Sequence, residues 1–427
     1  MIAGIDVGSS RVTTLIATIG ADDNRPKVIG VAVSPSRGIK KGQVVNIEEA
    51  MGSIVASVEA AERMAGYNLS RALVSLSGPL LTSQNSKGIV AVAQPNEEIV
   101  GQDVERVIDA ARAVSLPSTR EIIHVVPRGF TVDGQEGIKD PIGMSGVRLE
   151  VETHIVSGAS TAIKNLSRCV TEVGADIQDL VVSSLASAQA VLTETEKELG
   201  VVLVDIGGGT TDVAIFVEGS PYYLSVIPVG ANKVTDDLAI GARISLTAAE
   251  KLKIALSKKA KKITFPSSGE GKPKKKKDEL DLRKIGILEG PRTVSKKTLT
   301  EGIIRPRLNE IFTLIGEEIK KSRCQGVVPA GVVLTGGGAL TVGAVDCAKR
   351  ILNLPVRIGF PEGVTGLVEE VNSPEFATSV GLAFYGLKSD HKENSGLSLG
   401  RFSKRFSSLP VGGVADRVVN LVKSFLP

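Results

Sequence analysis

The 427-residue chain carries 51 Lys and Arg against 47 Asp and Glu, a formal net charge of +4, with 42% hydrophobic and 23% charged residues. That composition fits a soluble globular protein of two or more domains, and no apolar run approaches the ~18 residues that a membrane span needs. The cysteines (Cys169, Cys324, Cys347) and the histidines (His124, His154, His391) are scattered without metal-binding spacing, which suits a reducing cytoplasm.

The first strand follows the initiating Met, which leaves no room for a signal peptide. Residues 1–18 and 27–34 read as neighbouring strands, with Asp22-Asp23-Asn24 at a turn. Within the first, IAGIDVGSSRVTTLI (2–16) is an apolar strand ending in Asp6, a Gly8-Ser9-Ser10 turn and a second apolar strand. Residues 48–65 place Ile54, Val55, Val58, Ala61, Met64 and Ala65 at helical spacing. Leu73 to Leu76 return as a strand before Ser77-Gly78-Pro79, giving a strand–helix–strand start to an α/β domain. Residues 84–163 change character: strands at Ile89–Ala93, Ile122–Val126 and Arg148–Ile155 surround a helix at 100–114 and a Gly-rich loop. This reads as an insertion, after which 164–191 resume as helix, strand and helix.

Residues 201–217, VVLVDIGGGTTDVAIFV, repeat the N-terminal layout: a buried strand, Asp205, a glycine turn, and a second strand. Gly207, Gly208 and Gly209 lack a Cβ, so their backbone N–H groups can close in on an anion. Thr210 and Thr211 add hydroxyl donors. Three glycines alone fit a tight hairpin equally well. Two Asp-ended units about 200 residues apart instead suggest two similar domains facing across a cleft. Each offers a phosphate-binding turn, Gly8 to Arg11 and Gly207 to Thr211, and a carboxylate able to hold Mg²⁺ through water. A third element follows the strand at 331–334: Thr335-Gly336-Gly337-Gly338-Ala339 and a helical pattern to Leu352. A Gly-rich turn before a helix lets a flat ring or an anion approach the backbone. No GxxxxGK[ST] is present and no GxGxxG opens a helix, which removes the P-loop and dinucleotide-fold readings.

In this order and spacing the three elements resemble the phosphate and adenosine motifs of the actin-like ATPase superfamily. The segments SPSRGIKKGQV (34–44) and EGIKDPIGMSGVRLEVETHIV (136–156) further resemble the bacterial cell-division family FtsA. The resemblance implies an α/β actin-like ATPase fold with ATP and Mg²⁺ in the cleft. Residues 1–83 and 164–199 become subdomain IA, and 84–163 the family-specific subdomain IC. Residues 200–240 and 299–387 become IIA, and 241–298 IIB. It also implies cofactor contacts at Gly230 and Asn232, and an adenosine pocket formed by Gly336 to Ala339 with Glu250 and Lys253. Glu250 and Lys253 lie three apart on a helix at 245–256, a spacing that fits a solvated surface pair too. Glu250 would reach ribose and Lys253 the base.

Within IIB, residues 258–277 hold nine lysines and one glutamate, which leaves the rest of the chain at about −4. The globular body is therefore no basic nucleic-acid binder. The lysine loop reads either as a plain solvated insertion or as a contact for anionic lipid or an acidic tail. A long helix at 299–319 carries Arg305, Arg307 and Asn309. These are either a solvated helix face or, as the resemblance implies, contacts for the C-terminal peptide of FtsZ, the tubulin-like division protein. An arginine fork suits a carboxylate.

From residue 388 to 410 the chain is linker-like and polar. Beyond it Val414, Val418, Leu421 and Phe425 fall at i, i+4, i+7 and i+11 beside Arg417 and Lys423. A basic amphipathic helix on a tether marks an interfacial membrane anchor; packing on the body is the plainer alternative. The leading reading is thus an adaptor at the cytoplasmic face of the inner membrane. The resemblance implies that it polymerises with itself, tethers FtsZ and meets other division proteins. The alternatives are a PilM-like pilus adaptor, which lacks such a helix, and a small-molecule kinase. Hydrolysis is expected to be slow: Ala188 stands near the place of the superfamily's water-positioning glutamine, and Gln189 is one residue and ~100° of helix away.

Overall fold

The computed structural model describes residues 1–19, 25–93, 98–260 and 278–394. The Asp22–Asn24 turn, most of the lysine loop and everything from 395 onward lie outside the described residues. That includes Val414, Arg417, Val418, Leu421, Lys423 and Phe425.

Two sheets share one strand plan. In the first, Ile2–Val7, Arg11–Ile19 and Pro26–Pro35 form an antiparallel meander, and Arg71–Leu76 and Asp176–Val182 continue it in parallel beyond Ile2–Val7. In the second, Val201–Ile206, Thr211–Val217 and Ser220–Ile227 make the meander, and Val332–Thr335 and Val356–Ile358 the parallel pair. Strand alternation sorts the side chains. Val201 and Leu203 face a core shared by both sheets, whereas Val202, Val204 and Ile206 face the helices behind the second sheet. Ile5, Val7 and Ile16 meet the helix Ile47–Ala65 behind the first. That helix begins where Asn46 accepts the Glu49 N–H (3.3 Å) and ends where Gly66 turns left-handed.

The helices Ser183–Val191 and Ala377–Asn394 lie between the sheets. Ala186, Ala188, Val380, Leu382 and Ala383 share one core with Leu15 and Leu73 of the first sheet and Leu203 and Val333 of the second. The helices touch through backbone: a Cβ on Gly381 would lie 1.9 Å from the Ala186 carbonyl oxygen. The segment 299–387, expected wholly within the second half, returns to the first, because Thr365–Gly366 pairs with Lys27–Val28. The expected helix at 299–319 is two pieces, a π-helical turn Thr298–Ile304 and an α-helix Arg305–Lys321. Pro306 has no N–H for the α-helical ladder at the junction, and the Arg305 N–H reaches back to the Thr300 carbonyl.

The inserted region is a four-stranded antiparallel sheet, Thr82–Ala91, Arg148–Ala159, Arg120–Val132 and Gln135–Ile138 in that order, covered by the helix Gly101–Arg112. The strand expected at 122–126 is longer because a register shift opposite Pro127 absorbs the missing N–H. Arg120 pins its root, donating to the Leu80 and Ser157 carbonyls at 3.0 and 2.8 Å. The insertion also grips the second sheet's outer hairpin. Ser83 Oγ bonds both the Leu224 N–H and carbonyl (3.0 Å each), and Lys139 Nζ donates to the Glu218 carbonyl (2.6 Å). The Arg128 guanidinium stacks 4.5 Å from the Tyr222 ring centre.

The Gly381 contact sets a test. Gly381→Ala gains about 1 kcal/mol of helix propensity, but its methyl has no room against Ala186. The clash should dominate, with a net loss of roughly 1–3 kcal/mol and a Tm lower by about 1–3 °C in thermal unfolding. An unchanged or higher Tm would show that the two helices can part freely.

Candidate functional site

The two predicted glycine turns are the same turn built twice. The Gly8 N–H donates to the Arg11 carbonyl at 3.0 Å, and the Gly207 N–H to the Thr210 carbonyl at 2.9 Å. Asp6 pairs in register with Thr13, and Asp205 with Asp212. The turns face each other at contact distance. A Cβ on Gly208 would lie 1.8 Å from Ser10 Oγ, and one on Gly209 2.7 Å from Ser9 Oγ. Ser10 Oγ donates to Asn232 Oδ1 at 3.0 Å.

The second turn is latched to the start of the helix Asn232–Ala242. The Ala231 and Asn232 N–H groups donate to the Gly207 and Gly208 carbonyls, both at 2.9 Å. This needs Gly230, whose Cβ would lie 2.5 Å from the Gly208 oxygen. Gly336, at φ 79°, lies so close to Asp205 that a Cβ would sit 2.3 Å from Oδ1, and Gly338 packs equally tightly on Ile206. Gly337 has room, and Ala339 is buried with its N–H on the Gly336 carbonyl (3.2 Å). Glu250 and Lys253, on the helix Leu246–Ala260, pair at 2.7 Å, and both bond Thr235 Oγ1, at 2.6 and 2.9 Å. The buried Lys253 is thereby fixed in place.

The carboxylates are each held by hydroxyls from other segments. Ser75 Oγ donates to Asp6 Oδ1 at 2.7 Å. Ser187 and Thr378 donate to Asp205 Oδ2 at 2.6 and 3.3 Å. Asp212 receives Ser77 Oγ on both oxygens, at 2.8 and 2.9 Å, and Thr210 at 3.3 Å. Burial raises the Asp6 pKa against the pull of Ser75 and Arg11. Burial, aided by repulsion from Asp6, pushes Asp205 up to about 6. Burial and then the Asp205 charge push Asp212 up to about 8. Sequence reasoning missed Ser75, Ser77, Ser187, Thr378 and the weight of Asp212. The matching register of Asp212 and Thr13 was the one available signal.

Several expected contacts are spent within the chain. Arg11, expected in the phosphate turn, instead pairs with Glu375 (2.6 Å), bonds the Glu375 carbonyl and stacks 4.9 Å from the Phe376 ring centre. The Gly336 N–H grips the same turn through the Pro374 carbonyl at 3.0 Å. Thr211, expected as a phosphate donor, is buried and donates to the Val229 carbonyl at 2.8 Å. Arg307, the expected carboxylate fork, already holds Asp237 with two bonds of 2.7 and 3.0 Å. Arg305 pairs with Glu301, and Asn309 accepts from Arg350 at 2.7 Å. In the stretch 184–189 it is Ser187, not Ala188, that reaches Asp205. His124 and His154 are buried, and burial lowers their pKa values to about 4 and about 3. Among the described residues no group of three or more His, Cys, Asp or Glu is placed to hold a metal ion directly.

A family model described as cell division protein FtsA matches residues 202–381, and one described as the SHS2 domain inserted in FtsA matches 78–157. The cell division protein FtsA of Pseudomonas aeruginosa is 41% identical over 431 residues, covering 99% of this chain and 97% of that protein. The chain belongs to the FtsA family. FtsA of Escherichia coli K12 is 34% identical over 96% of this chain and 97% of its own. Solved structures establish the fold as actin-like. A PilM–PilN type IV pilus biogenesis complex aligns with TM-score 0.62 at 17% identity, over 90% of this chain and 98% of that one. MreB 5 of Spiroplasma citri, solved with AMPPNP, aligns with TM-score 0.53 at 14% identity, over 92% and 98%. The likeness to PilM is therefore one of fold, whereas FtsA relatives match in sequence along nearly the whole chain. The inserted sheet is the FtsA-type SHS2 domain.

The acid cluster sets a pH dependence. A carboxyl near 8 when folded and near 3.8 when unfolded binds its proton only in the folded state between those values. The stability loss is therefore absent below about pH 4 and grows as pH rises towards 8. Asp212→Asn should remove most of this slope. In urea unfolding without nucleotide or Mg²⁺, the variant should exceed the parent at pH 8 by several kcal/mol, up to about 5, and match it near pH 4. Parallel profiles would show that Asp212 stays ionised.

Proposed function

We propose that this chain binds ATP and Mg²⁺ between its two halves, polymerises with itself at the cytoplasmic face of the inner membrane, and anchors FtsZ there with other division proteins. The observation that carries the nucleotide reading is the duplicated turn. Two glycine turns from two sheets meet face to face, with an Asp behind each and the Gly336–Ala339, Gly230, Asn232, Glu250 and Lys253 group at one end. Backbone N–H groups at Gly8 to Ser10 and Gly207 to Gly209 cradle phosphates, and Glu250 and Lys253 border adenosine. Arg11 adds positive charge once released from Glu375. Asp6 and Asp205 suit a hydrated Mg²⁺. Each keeps oxygen lone pairs beyond its hydroxyl bonds, and their mutual repulsion is relieved by a cation. The ion would neutralise the phosphates. No acid–base residue is assigned, and slow turnover fits the methyl of Ala188 near the place of the superfamily's water-positioning glutamine.

Family membership supports the division role. The FtsZ peptide is proposed to dock along the helix Arg305–Lys321, where its carboxylates compete with Asp237 for Arg307 and reach Arg305 and Asn309. The tail is proposed to lie in the lipid interface. Val414, Val418, Leu421 and Phe425 contribute up to about 1.5–3 kcal/mol each if fully buried. Arg417 and Lys423 add about 1 kcal/mol apiece at an anionic surface. Ordering a dozen residues opposes this at roughly 1–2 kcal/mol each. One tail therefore binds weakly, and a filament gains avidity from many.

Two experiments test these readings. Gly208→Val places a side chain where Ser10 and Asn232 stand, and should weaken ATP binding at least about a hundredfold (~2.7 kcal/mol) with the chain still folded; an unchanged affinity would remove the cleft assignment. For the tail, the full chain should co-sediment with anionic vesicles, more with ATP than without, and residues 1–396 should stay in the supernatant. Equal pelleting of both, with aggregation excluded, would end the anchor reading.

A further inference from the structure

The segment 34–44, singled out by the sequence, has no task among the cleft residues described above. In the fold it makes a small hairpin, Ile39–Lys40 against Gln43–Val44. The two residues of its turn, Lys41 and Gly42, both have positive φ, 50° and 72°, as a two-residue hairpin turn requires. The base is rigid. Ile39 is buried in the first sheet's core, and the Val45 and Asn46 N–H groups donate to the Gly38 carbonyl at 2.8 and 3.1 Å. The tip is wedged among three parts of the cleft. The Gly42 N–H donates to Ser9 Oγ at 2.8 Å. A Cβ on Gly42 would lie 2.8 Å from the carbonyl oxygen of Ser77, the partner of Asp212. From the other half, a Cβ on Gly209 would lie 3.2 Å from the Lys41 amide nitrogen.

These contacts give the cleft a direction. The Gly336–Gly338 turn packs on Asp205 and Ile206, and the Asn232 N–H holds Gly208. The hairpin tip touches the opposite end of the turns, at Gly209 and Ser9. A chain of phosphates running from the adenosine end along both turns reaches the hairpin with its last member. Lys41 is exposed there, and it occupies a left-handed conformation that costs a non-glycine residue roughly 1 kcal/mol. A glycine would close the turn without that strain, so the position favours lysine for its side chain.

We infer that Lys41 contacts the terminal phosphate of ATP and that this hairpin distinguishes ATP from ADP. The inference rests on the reading of the cleft as an ATP site. The test is calorimetric titration of Mg-ATP and Mg-ADP into the full chain and into Lys41→Gln, Lys41→Arg and Lys40→Gln. Lys41→Gln should weaken ATP about tenfold, the usual effect of losing one charged hydrogen bond, and leave ADP unchanged. Lys41→Arg should keep most of the ATP affinity. Lys40→Gln, which removes the same charge one residue away, should alter neither. Equal weakening of ATP and ADP by Lys41→Gln, no weakening of ATP, or an equal ATP loss in Lys40→Gln would overturn the inference while leaving the ATP site standing. A parent chain that binds neither nucleotide would overturn the site and the inference together.

Discussion

The cleft depends on glycine backbone packed against its neighbours at distances that forbid a Cβ. Gly208 against Ser10, Gly230 against the Gly208 carbonyl, and Gly336 against Asp205 all lie inside normal side-chain contact. The spacing is set from outside, by the core between the sheets and by the Gly381–Ala186 crossing of its two helices. A site made of turns is thus only as accurate as the packing beneath it.

The same closeness explains the hydroxyls. Three carboxylates gathered in one cleft repel one another and lose water. Each is met by a hydroxyl from elsewhere in the chain: Asp6 by Ser75, Asp205 by Ser187 and Thr378, Asp212 by Ser77. The Ser77–Asp212 bond joins the two halves across 135 residues of sequence. The inserted sheet adds further links through Ser83 and Lys139.

The duplication was legible because its signals are local. An apolar strand, an Asp and a glycine turn recur in the same order, and strand alternation sorts the rest. Glycine needs at the cleft and the three-residue spacing of Glu250 and Lys253 were legible for the same reason. What escaped lacks a local pattern. Thr365–Gly366 is two residues long and is a strand only because Lys27–Val28 is beside it. Pro127 looked like a strand end and is carried through a register shift. The helix Glu194–Leu199 is too short for periodicity, although its Thr193–Glu196 capping box stands in the sequence. A serine hydroxyl carries no spacing rule, so Ser75, Ser77 and Ser187 were invisible. Arg11 and Arg307 were visible as cations, but Glu375 and Asp237, which hold them across the fold, lie 364 and 70 residues away; Arg307 also pairs with Glu310 on its own helix.

The return of the chain to its first sheet bears on how the molecule is made. The strand Thr365–Gly366 and the helix Ala377–Asn394 finish a unit whose other strands end at Val182. A ribosome adding roughly 5–20 residues per second leaves that unit unfinished for tens of seconds. The second sheet, whose strands all lie between Val201 and Ile358, emerges complete in the meantime. The N-terminal half of this protein is therefore the last to be sealed during translation. Its exposed apolar face, including Leu15, Val28 and Leu73, is the stretch a nascent-chain chaperone would have to shelter.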